Sequence, residues 1–413
     1  MGGGAREHAI VWKLAQSPNA EELYVAPGNA GTAQLAQNLD IKATDIVALA
    51  KAAQNKGIEL VIVGPEGPLA EGIVDHFQKL GIPIFGPTKQ AAQIESSKVF
   101  AKKLMQKYRI PCARSASFTD YARAKAYLKK RAPPIVIKAN GLAAGKGVVI
   151  AETIAQALEA LVNFMELKTL GAAGDKVVIE EHLTGKEMSS FAFTDGKTVV
   201  PMAAACDYKR VYDNDKGSNT GGMGSYSPPH FATPQLHRKV SETILKPTVA
   251  AMAKEGSPYK GVLYGGLMIT SECPKVLEFN ARFGDPEAQA ILPLLKTDLV
   301  DICLAVINNR LDEINIEWSN EACVGVVMAS GGYPGNYTTG FPITGLGDID
   351  KDIQVFHAGT KSGWGQILTN GGRVLTVVAT GKTIEEAREK VYNNISRIQF
   401  QGCYYRKDIA LIS

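Results

Sequence analysis

Short apolar runs alternate with helical stretches through the first 93 residues of the chain. The runs Val61–Val63 and Ile82–Phe85 are rich in β-branched residues and stop at Gly-Pro pairs, which is typical of buried parallel strands. Helical stretches such as DIVALAKAAQNKG and EGIVDHFQKLG stand between such runs. This repetition predicts a doubly wound α/β sheet whose ligand binds at the carboxyl ends of the strands, where the loops 27–32, 64–68 and 86–88 follow.

The glycine-rich start of the chain, GGGAREHAIVWKLAQ, predicts a loop that opens a helix, and no apolar run precedes it. The first strand of a doubly wound sheet is central. We therefore expect the functional polypeptide to carry an apolar stretch of about six to eight residues before Gly2, the usual length of a strand. We expect the chain without that stretch either to fold poorly or to bind its ligand at this sheet weakly, while sites far along the sequence stay intact.

The remaining pattern divides into three parts. A helix over 94–112, stopped by Pro111, leads into a hairpin-rich region to about residue 200 that includes an Asp195–Gly196 turn. A glycine-rich loop over 216–230 and two strands within 262–280 follow. From about residue 321 the pattern predicts further strands, one at 373–379, and a helix near 383–395. This last part has few clustered acids, and we interpret it as structural.

Composition excludes several classes of protein. A length of 413 residues predicts two to four domains. The 45 basic and 41 acidic residues balance too closely for nucleic acid or a membrane surface to be an obligatory partner. The six cysteines are scattered, no apolar run is long enough to cross a membrane, and the start lacks a signal-peptide pattern. We expect a cytoplasmic protein.

The stretch VLEFNARFGDPEAQ places many polar groups among apolar neighbours. Glu278 and Asn280 are two apart on a strand and therefore share a face, and their oxygens suit Mg²⁺. Arg282 suits a carboxylate or an acyl phosphate, which a guanidinium grips with two hydrogen bonds. Asp285 and Glu287 follow in a turn that could hold an ammonium group. The alternative is a purely structural cluster of salt bridges.

The stretch PPIVIKANGLAAGKGVVIAE combines glycines with lysines but does not match a phosphate-binding P-loop, because its spacing is short and a strand follows it. We interpret it as a hairpin with a flexible glycine loop. Lys138 lies within the apolar strand and needs an anion or access to solvent. Phosphate binding by Lys138 and the loop amides is one interpretation, and a solvent-reaching surface lysine is the other.

Two further stretches could contact a nucleotide. KVVIEEHLTGKE ends a strand at Glu180 and Glu181, where backbone groups can pair with a purine edge, and Glu187 could accept from ribose hydroxyls. Charged strand ends are also common without any function. CDYKRVYDNDKGSNTGGMGSYSP gathers charged residues around a loop whose glycines let backbone amides approach a ligand, although a plain linker is the alternative.

Taken in order, these stretches resemble the ATP-grasp superfamily and, within it, the phosphoribosylamine–glycine ligase family. The resemblance runs nearly end to end, through REHA, APGNAGT, GPEGPL, FGPT, SSKVFAK, VIKANGLAAGKGV, IEEHLTGKE, NTGGMGSYSP, EFNARFGDPE, GYPG, FHAGT and GGRVL. NTGGMG together with RFGDPE is highly specific to that family. Besides the absent first strand, the chain departs from the family pattern at Ala5, Cys206 and Ser218, where the family commonly has Gly, Gln and Pro.

The resemblance implies an α/β protein of several domains. It would contain an N-terminal doubly wound parallel-sheet domain (1–93), an ATP-grasp domain pair and a small C-terminal α+β domain (321–413). Within the pair, 94–112 with 188–320 would form the central domain with the metal and glycine site, and 113–187 would form the lid. We expect a monomer, with a weak homodimer as the alternative, and only small molecules as partners: ATP, glycine and 5-phosphoribosylamine.

The reaction implied is the ATP-dependent ligation of glycine to 5-phosphoribosylamine through glycyl phosphate, with Mg²⁺ or Mn²⁺. It gives glycinamide ribonucleotide, ADP and phosphate in de novo purine synthesis. The alternatives are another ATP-grasp carboxylate–amine ligase, a carboxylase, or a nucleotide-binding regulator without turnover. The acids of the RFGDPE turn argue against a carboxylase, because bicarbonate has no ammonium group. The presence of both Glu278 and Asn280 argues against a regulator.

Each candidate site residue then has an expected role. The metal would lie on Glu278 and Asn280, and catalysis would depend on Arg282, Lys138 and Asp285. Nucleotide contacts are expected from Lys98, Lys138, Gly145, Lys146, Gly147, Glu180, Glu181, His182, Leu183, Glu187 and Asn219. Contacts to glycine and the sugar phosphate are expected from Arg6, Glu7, Gly28, Asn29, Gly64, Pro65, Glu66, Asp207, Lys209, Arg210, Gly221, Gly222, Arg282, Asp285 and Glu287.

Overall fold

The N-terminal part is a small parallel sheet with helices packed on it. The structure, a computed structural model, describes residues 1–143 and 147–411. Strand Tyr24–Val25 pairs in parallel with Gln37–Asn38, and Val61–Ile62 pairs in parallel with Ile84–Phe85. The helices of this part are Ala5–Leu14, Ile46–Asn55, Glu66–Glu71, Ile73–Lys79 and Gln93–Ser96. This arrangement confirms the predicted parallel sheet of the N-terminal domain.

The first two residues lie between these two strand pairs. The Met1 ammonium donates to the Ile62 carbonyl at 2.8 Å, and Gly2 N–H donates to the Ala26 carbonyl at 2.7 Å. Gly64 N–H in turn donates to the Met1 carbonyl at 3.1 Å. The N-terminal residues thus occupy the central position of the sheet, which the sequence assigned to the first strand.

Residues 113–187 form a separate layer with its own core. Four antiparallel strands lie in the order Ser115–Phe118, Val177–Glu181, Ile135–Ala139, Val148–Ala151. Helices Tyr121–Leu128 and Ile154–Leu161 cover the sheet, because their apolar faces bury residues such as Leu128 and Leu161 against Ile137. The glycine hairpin between Ile135–Ala139 and Val148–Ala151 includes the residues 144–146 that fall outside the description.

The central sheet is antiparallel, and its last strand begins the polar stretch VLEFNARFGDPEAQ. Its order is Val199–Pro201, Lys186–Asp195, Lys260–Ile269, Pro274–Asn280. The predicted Asp195–Gly196 turn is confirmed, and Gly196 adopts a φ of +98° that favours glycine. The helices around this sheet are Lys98–Lys107, Pro234–Val240, Lys246–Lys254, Glu287–Ile291 and Leu299–Ile307. No helix within the described ranges is long and apolar enough to cross a membrane.

The C-terminal sheet has five strands and takes two of them from upstream. Its order is Cys206–Asp207, Gly224–Ser227, Ala322–Ala329, Arg373–Gly381, Gln354–His357, and helix Ile384–Ile395 packs on it. The strand and helix predicted at 373–379 and 383–395 are confirmed. Two hairpins flank the sheet, formed by Arg210–Tyr212 with Lys216–Asn219 and by Thr360–Gly363 with Gln366–Thr369. The sheet therefore crosses the boundary predicted at residue 321.

Candidate active site

A buried carboxylate between two lysines lies where the lid meets the central domain. Glu180 Oε2 is 3.2 Å from Lys138 Nζ, and Glu180 Oε1 is 3.2 Å from Lys102 Nζ. Lys138 Nζ also donates to the Leu277 carbonyl at 2.8 Å. All three charged side chains are almost fully buried. The structure thus brings the predicted Lys138 and Glu180 together, in a sheet where Glu180 pairs opposite Val136.

Lys102 was not predicted from the sequence, although a signal for it exists. It lies four residues after Lys98 on helix Lys98–Lys107, and residues four apart share a helix face. Lys98 Nζ donates to the Gly141 carbonyl at 3.2 Å. Burial lowers the pKa of Lys98, and Glu278 partly offsets that effect. The Gly147 carbonyl accepts from Ala139 N–H at 2.8 Å, whereas Gly145 and Lys146 lie outside the described residues.

The remaining predicted nucleotide contacts follow the strand Val177–Glu181 as it leaves the lid. Glu181 pairs with Arg114 at 2.6 Å, His182 is half-buried, and Leu183 packs in a small cluster with Ala113. This segment connects the lid to the central sheet. Its backbone is therefore held by a strand on each side of the connection.

Glu278 and Asn280 share one face of the strand Pro274–Asn280, opposite the buried Phe279. Burial alone would raise the pKa of Glu278, but Lys138, Lys209 and Lys98 hold it below its ordinary value. Within residues 1–143 and 147–411, no ion pair or hydrogen bond engages the Glu278 carboxylate. A carboxylate that stays ionised without a direct partner, beside an amide oxygen, fits a hard divalent cation such as Mg²⁺ or Mn²⁺.

The predicted charged loop lies across the same cavity, which is lined by Glu187, Asp207, Lys209, Tyr264 and Glu278 among others. Lys209 Nζ pairs with Glu187 at 2.5 Å. Burial raises the pKa of Asp207 to about 7, although Lys209 opposes the rise. The Arg210 guanidinium does not face this cavity, because it donates to the Gly217 carbonyl within its own hairpin. Asn219 lies opposite Arg210 in that hairpin and is exposed.

Arg282 is held by two acids at the junction with the N-terminal domain. Its guanidinium lies 3.1 Å from Glu95 and 3.3 Å from Glu66, and Nη2 donates to Asn280 Oδ1 at 3.3 Å. Burial alone would lower the pKa of Arg282, but Glu95 and Glu66 raise it. Arg6 lies 4.0 Å from Glu66. A guanidinium offers five N–H donors, so an added carboxylate ligand would share Arg282 with these acids.

Glu95 was missed by the sequence analysis. Its carboxylate accepts from Ala281 N–H at 2.6 Å, and its side chain is 7 % exposed. A carboxylate at that depth needs a cation. The signal that could have found it is a single acid beside the buried Ile94, just before the helix that carries Lys98.

The two acids of the RFGDPE turn have different partners. Asp285 pairs with Arg373 at 2.9 Å and accepts from Gln289 at 2.8 Å. Glu287 instead accepts from two hydroxyls, Ser189 at 2.9 Å and Tyr264 at 2.5 Å, and is 2 % exposed. Sequence reasoning missed Arg373, which lies 88 residues downstream in the part interpreted as structural.

The predicted residues of the N-terminal loops are tightly interlocked. Glu7 accepts from Gly4 N–H at 2.6 Å and from Arg6 Nε at 2.7 Å. A Cβ at Gly64 would stand 2.2 Å from Glu7 Oε1, so this loop approaches the acid closely because residue 64 is glycine. Pro65 precedes the helix that begins at Glu66. These loops meet Arg282 through Glu66 and through the Arg6 hydrogen bond to the Phe283 carbonyl.

The loop at Gly28 and Asn29 connects the N-terminal and C-terminal domains. Gly28 has a φ of +74°. The Asn29 amide donates to the carbonyls of Gly3 and His357 at 3.0 and 2.7 Å and accepts from Gly31 and Thr32 N–H, so protein groups engage both ends of the side chain. His357 N–H also donates to His8 Nδ1 at 2.8 Å.

Family models cover most of the chain in three consecutive segments. They describe the N domain (1–95), the ATP-grasp (A) domain (96–288) and the C domain (323–412) of phosphoribosylglycinamide synthetase. A crystal structure of phosphoribosylamine–glycine ligase from Thermotoga maritima matches with a TM-score of 0.87 and 35% identity, over 99% of this chain and 98% of that one. A biotin carboxylase from Campylobacter jejuni shares the fold, with a TM-score of 0.74 at 15% identity over 99% and 93% of the two chains.

Curated relatives match over the same length. The phosphoribosylamine–glycine ligase of Caldanaerobacter subterraneus is 53% identical, covering 99% of this chain and 98% of the relative. That of Escherichia coli K12 is 51% identical, covering 99% and 96%. The chain belongs to the phosphoribosylamine–glycine ligase family of ATP-grasp enzymes.

Proposed function

We infer that this chain is an ATP-dependent carbon–nitrogen ligase that joins glycine to 5-phosphoribosylamine. The products are glycinamide ribonucleotide, ADP and phosphate, and the reaction is a step of de novo purine synthesis. The observation that carries this inference is the end of the strand Pro274–Asn280. There, an acid whose pKa is lowered by three lysines is followed four residues later by a partly buried arginine.

The nucleotide is proposed to lie between the lid and the central sheet. The hinge Glu181–Leu183 would meet the purine edge through its backbone, and Glu187 would accept from the ribose. Lys138 and Lys98 would neutralise the phosphates, since both lie close enough to Glu278 to lower the pKa of its carboxyl group. The buried Lys138 ammonium has a partner in Glu180, whose Oε2 lies 3.2 Å from Lys138 Nζ.

Glu278 and Asn280 are the residues that would hold a divalent cation, which would neutralise charge on the transferring phosphoryl group. The family supports a divalent metal, and we propose Mg²⁺ or Mn²⁺ because both donors are oxygens. Glu278 fits this role because Lys138, Lys209 and Lys98 keep it ionised at neutral pH.

Glycine is proposed to bind beside Arg282, with its carboxylate directed at the γ-phosphorus of ATP. One carboxylate oxygen attacks that phosphorus while the bond to the β-phosphate oxygen breaks, which gives glycyl phosphate and ADP. Lys138 and Arg282 would stabilise the charge on the phosphoryl oxygens. Glu287 could accept from the glycine ammonium, since two hydroxyls and no cation engage it among the described residues.

The second step joins the two substrates. The amine of phosphoribosylamine attacks the carbonyl carbon of glycyl phosphate, the C–O bond to phosphate breaks, and the amine loses a proton. We propose that the N-terminal loops around Arg6, Gly28 and Gly64 receive the sugar phosphate, since they open at the strand ends and contact the Arg282 turn. Closure of the lid would keep water from the acyl phosphate.

We also propose that the chain acts as a monomer in the cytoplasm. All six cysteines, each within the described residues, carry free thiols, which suits a reducing compartment.

An assay of ADP release tests the proposed reaction. The enzyme is supplied with ATP and either glycine, bicarbonate or neither, each with and without phosphoribosylamine. We expect full turnover only with glycine and phosphoribosylamine together. Turnover with bicarbonate would indicate a carboxylase, and the absence of turnover in every arm, with nucleotide binding retained, would indicate a regulator.

A further inference from the structure

Arg373 of the C-terminal domain joins two segments of the active site. Its Nη2 contacts Asp285 Oδ2 at 2.9 Å, and its Nη1 donates to the Gly221 carbonyl at 2.7 Å and to the Asp285 carbonyl at 3.3 Å. The side chain is 22 % exposed and Asp285 is 18 % exposed, so solvent screens this ion pair weakly. One guanidinium therefore fixes both the turn at Asp285 and the glycine loop at Gly221.

Tyr333 completes this contact from the same domain. Its hydroxyl accepts from Gly221 N–H at 3.0 Å, so the C-terminal domain engages both backbone groups of Gly221. A side chain at position 372 would collide with the Tyr333 ring, since a Cβ there would stand 2.3 Å from Cδ2. The GGR sequence that ends at Arg373 thus allows the tyrosine to lie close to the loop.

The two segments that Arg373 joins also touch each other directly. A Cβ at Gly222, where φ is +111°, would stand 2.3 Å from Pro286 Cδ, and a Cβ at Gly221 would stand 3.0 Å from Arg373 Cζ. No larger residue fits at either position without a shift. The loop Asn219–Gly222 and the turn Gly284–Pro286 are therefore packed directly against each other, and a larger side chain at Gly221 or Gly222 would push them apart.

That placement matters because each segment continues into a candidate site residue. The turn follows Asn280 and Arg282 directly, and Asp285 Oδ2 would lie 3.7 Å from a Cβ at Gly4 in the N-terminal loop. The glycine loop is tied to Lys209, whose carbonyl accepts from Thr220 N–H at 2.7 Å. A shift between the two segments would therefore move Arg282 relative to Lys209.

The C-terminal domain does not need Arg373 for its attachment. Its sheet includes the strand Gly224–Ser227, which pairs with Ala322–Ala329 along four residue pairs. At the other end, the fully buried Arg406 pairs with Asp215 at 2.9 Å and with Asp408 at 2.7 Å. The contacts of Arg373 are thus additional to those that hold the domain in place, and they are directed at the active site.

We propose that Arg373 is a positioning residue for glycine activation, which fixes the Asp285 turn against the Gly221 loop so that Arg282 and Lys209 face the same substrate. The proposal rests on the function proposed above. In this arrangement Asp285 serves as the partner of Arg373 rather than as a ligand of the glycine ammonium. The C-terminal domain thereby sets the positions of Arg282 and Lys209, which we call the acceptor side of the site. The hinge Glu181–Leu183 and the phosphate lysines do not depend on it, and the predicted nucleotide contact Asn219 is held separately by its pairing with Arg210 in the hairpin that precedes Gly221.

The main test is Arg373→Gln, compared with Arg397→Gln as a control. Arg397 also pairs with an aspartate at 2.9 Å but is exposed on the far part of the C-terminal domain. We expect Arg373→Gln to lower kcat/KM for glycine by about 10²-fold, because small misplacements of reacting groups have effects of that size. We expect its Kd for ADP to stay within about threefold of the parent value, below the effect of one lost hydrogen bond to a charged group. Arg397→Gln should leave all constants unchanged.

Further variants separate positioning from general stability. Arg373→Lys keeps a charge opposite Asp285, but its single nitrogen cannot reach the acceptors that Nη1 and Nη2 serve from two positions. Its glycine kcat/KM should therefore fall between those of the parent and the glutamine variant. Adding Asp285→Asn to Arg373→Gln should lower the rate little beyond the worse single variant, because the pair acts as a unit. If Arg373→Gln fails to fold, Tyr333→Phe provides the same test with an expected loss of about threefold, the effect of one hydrogen bond.

The outcomes distinguish this inference from the proposed function. A parent enzyme without glycine-dependent ADP release would overturn the function and the inference with it. An active parent with an unchanged glycine kcat/KM in folded Arg373→Gln would overturn the inference alone. Equal losses in glycine kcat/KM and in ADP affinity would also overturn it, because they would indicate a general disturbance.

Discussion

The nucleotide side and the acceptor side of this site are built in different ways. Lys102, Lys138 and Glu180 all come from within 79 residues, on one helix and two adjacent strands. The acceptor side brings together Arg282 of the central domain, Glu66 of the N-terminal domain and, through Asp285, Arg373 of the C-terminal domain. The three residues of the first side need only the helix Lys98–Lys107 and the sheet of residues 113–187 to meet, whereas the second side exists only when three domains are packed correctly.

The largest effect is expected from Glu278→Gln, at the boundary between the two sides. The amide keeps the shape but removes the charge that would hold the metal, so kcat should fall by about 10³-fold. ADP affinity without metal should stay near that of the parent, because the hinge is untouched. Glu272→Gln, an exposed acid paired with Lys275 nearby, is the matched control. Steady-state kinetics within a few-fold of the parent would show that the metal assignment is wrong.

Arg282→Lys should damage the acceptor side selectively. An ammonium keeps the charge between Glu66 and Glu95 but cannot grip a substrate carboxylate with two parallel hydrogen bonds. We expect kcat/KM for glycine to fall by about 10²-fold with little change in Kd for ADP. A near-normal dependence of ADP release on glycine concentration would refute the substrate role of Arg282.

Acid should loosen the contact between the N-terminal and C-terminal domains. Burial lowers the pKa of His8 to about 3 and that of His357 to about 4. Between these values and the ordinary pKa of 6.5, the unfolded chain binds more protons than the folded one, so stability is lost as pH falls below 6.5. At pH 5 each histidine should cost about 2 kcal/mol.

The measurement is Tm from pH 7.5 to 4.5 for the parent and for His8→Gln. The variant lacks one of the buried imidazoles, so its Tm should fall less steeply with acid even if it starts lower. His76→Gln, at a partly exposed position, is the control and should keep the parent slope. An equal slope in His8→Gln and the parent would contradict the assignment of acid sensitivity to this contact.

The smallest of these effects is expected on the nucleotide side, from Lys102→Met. Without the Lys102 ammonium, Lys138 is the remaining ion-pair partner of Glu180 among the described residues. The attraction between Glu180 and Lys138 then competes more strongly with the attraction between Lys138 and the phosphates. We expect Kd for ADP to rise about tenfold, as for loss of one charged interaction, with KM for glycine unchanged. Lys103→Met, at the exposed neighbouring position, serves as the control. A rise in the KM for glycine of the same size would mean that the two sides are not separable.

The sequence predicted the local parts of this molecule better than its long-range contacts. Short apolar runs located strands such as Val61–Ile62 and Ile84–Phe85, and the two-residue spacing of Glu278 and Asn280 placed both on one face, as observed. Glu95 and Arg373 could not be found this way, because their partners lie 187 and 88 residues away. Nothing in the spacing of residues along one strand reports which distant loop will pack against it.

The same limit explains why the C-terminal part was interpreted as structural. Its sequence carries no dense cluster of acids, yet a single arginine and a tyrosine suffice to reach the glycine loop. Asn29 shows the converse, since its place in a ligand-facing loop suggested substrate contact, whereas its amide is taken up by five protein groups. Residue type indicates which hydrogen bonds a side chain can make, and only the packing of the folded chain decides which of its donors and acceptors remain available to a ligand.

The strand Gly224–Ser227 has a consequence for protein engineering. It enters the C-terminal sheet from upstream and pairs with Ala322–Ala329, so the C-terminal domain is not a module that can be exchanged by cutting at residue 321. A chimera cut there would combine strands of two parents within one sheet and would set a foreign Arg373 against the native Gly221 loop. Recombination between relatives should therefore carry residues 206–227 and the C-terminal domain from the same parent.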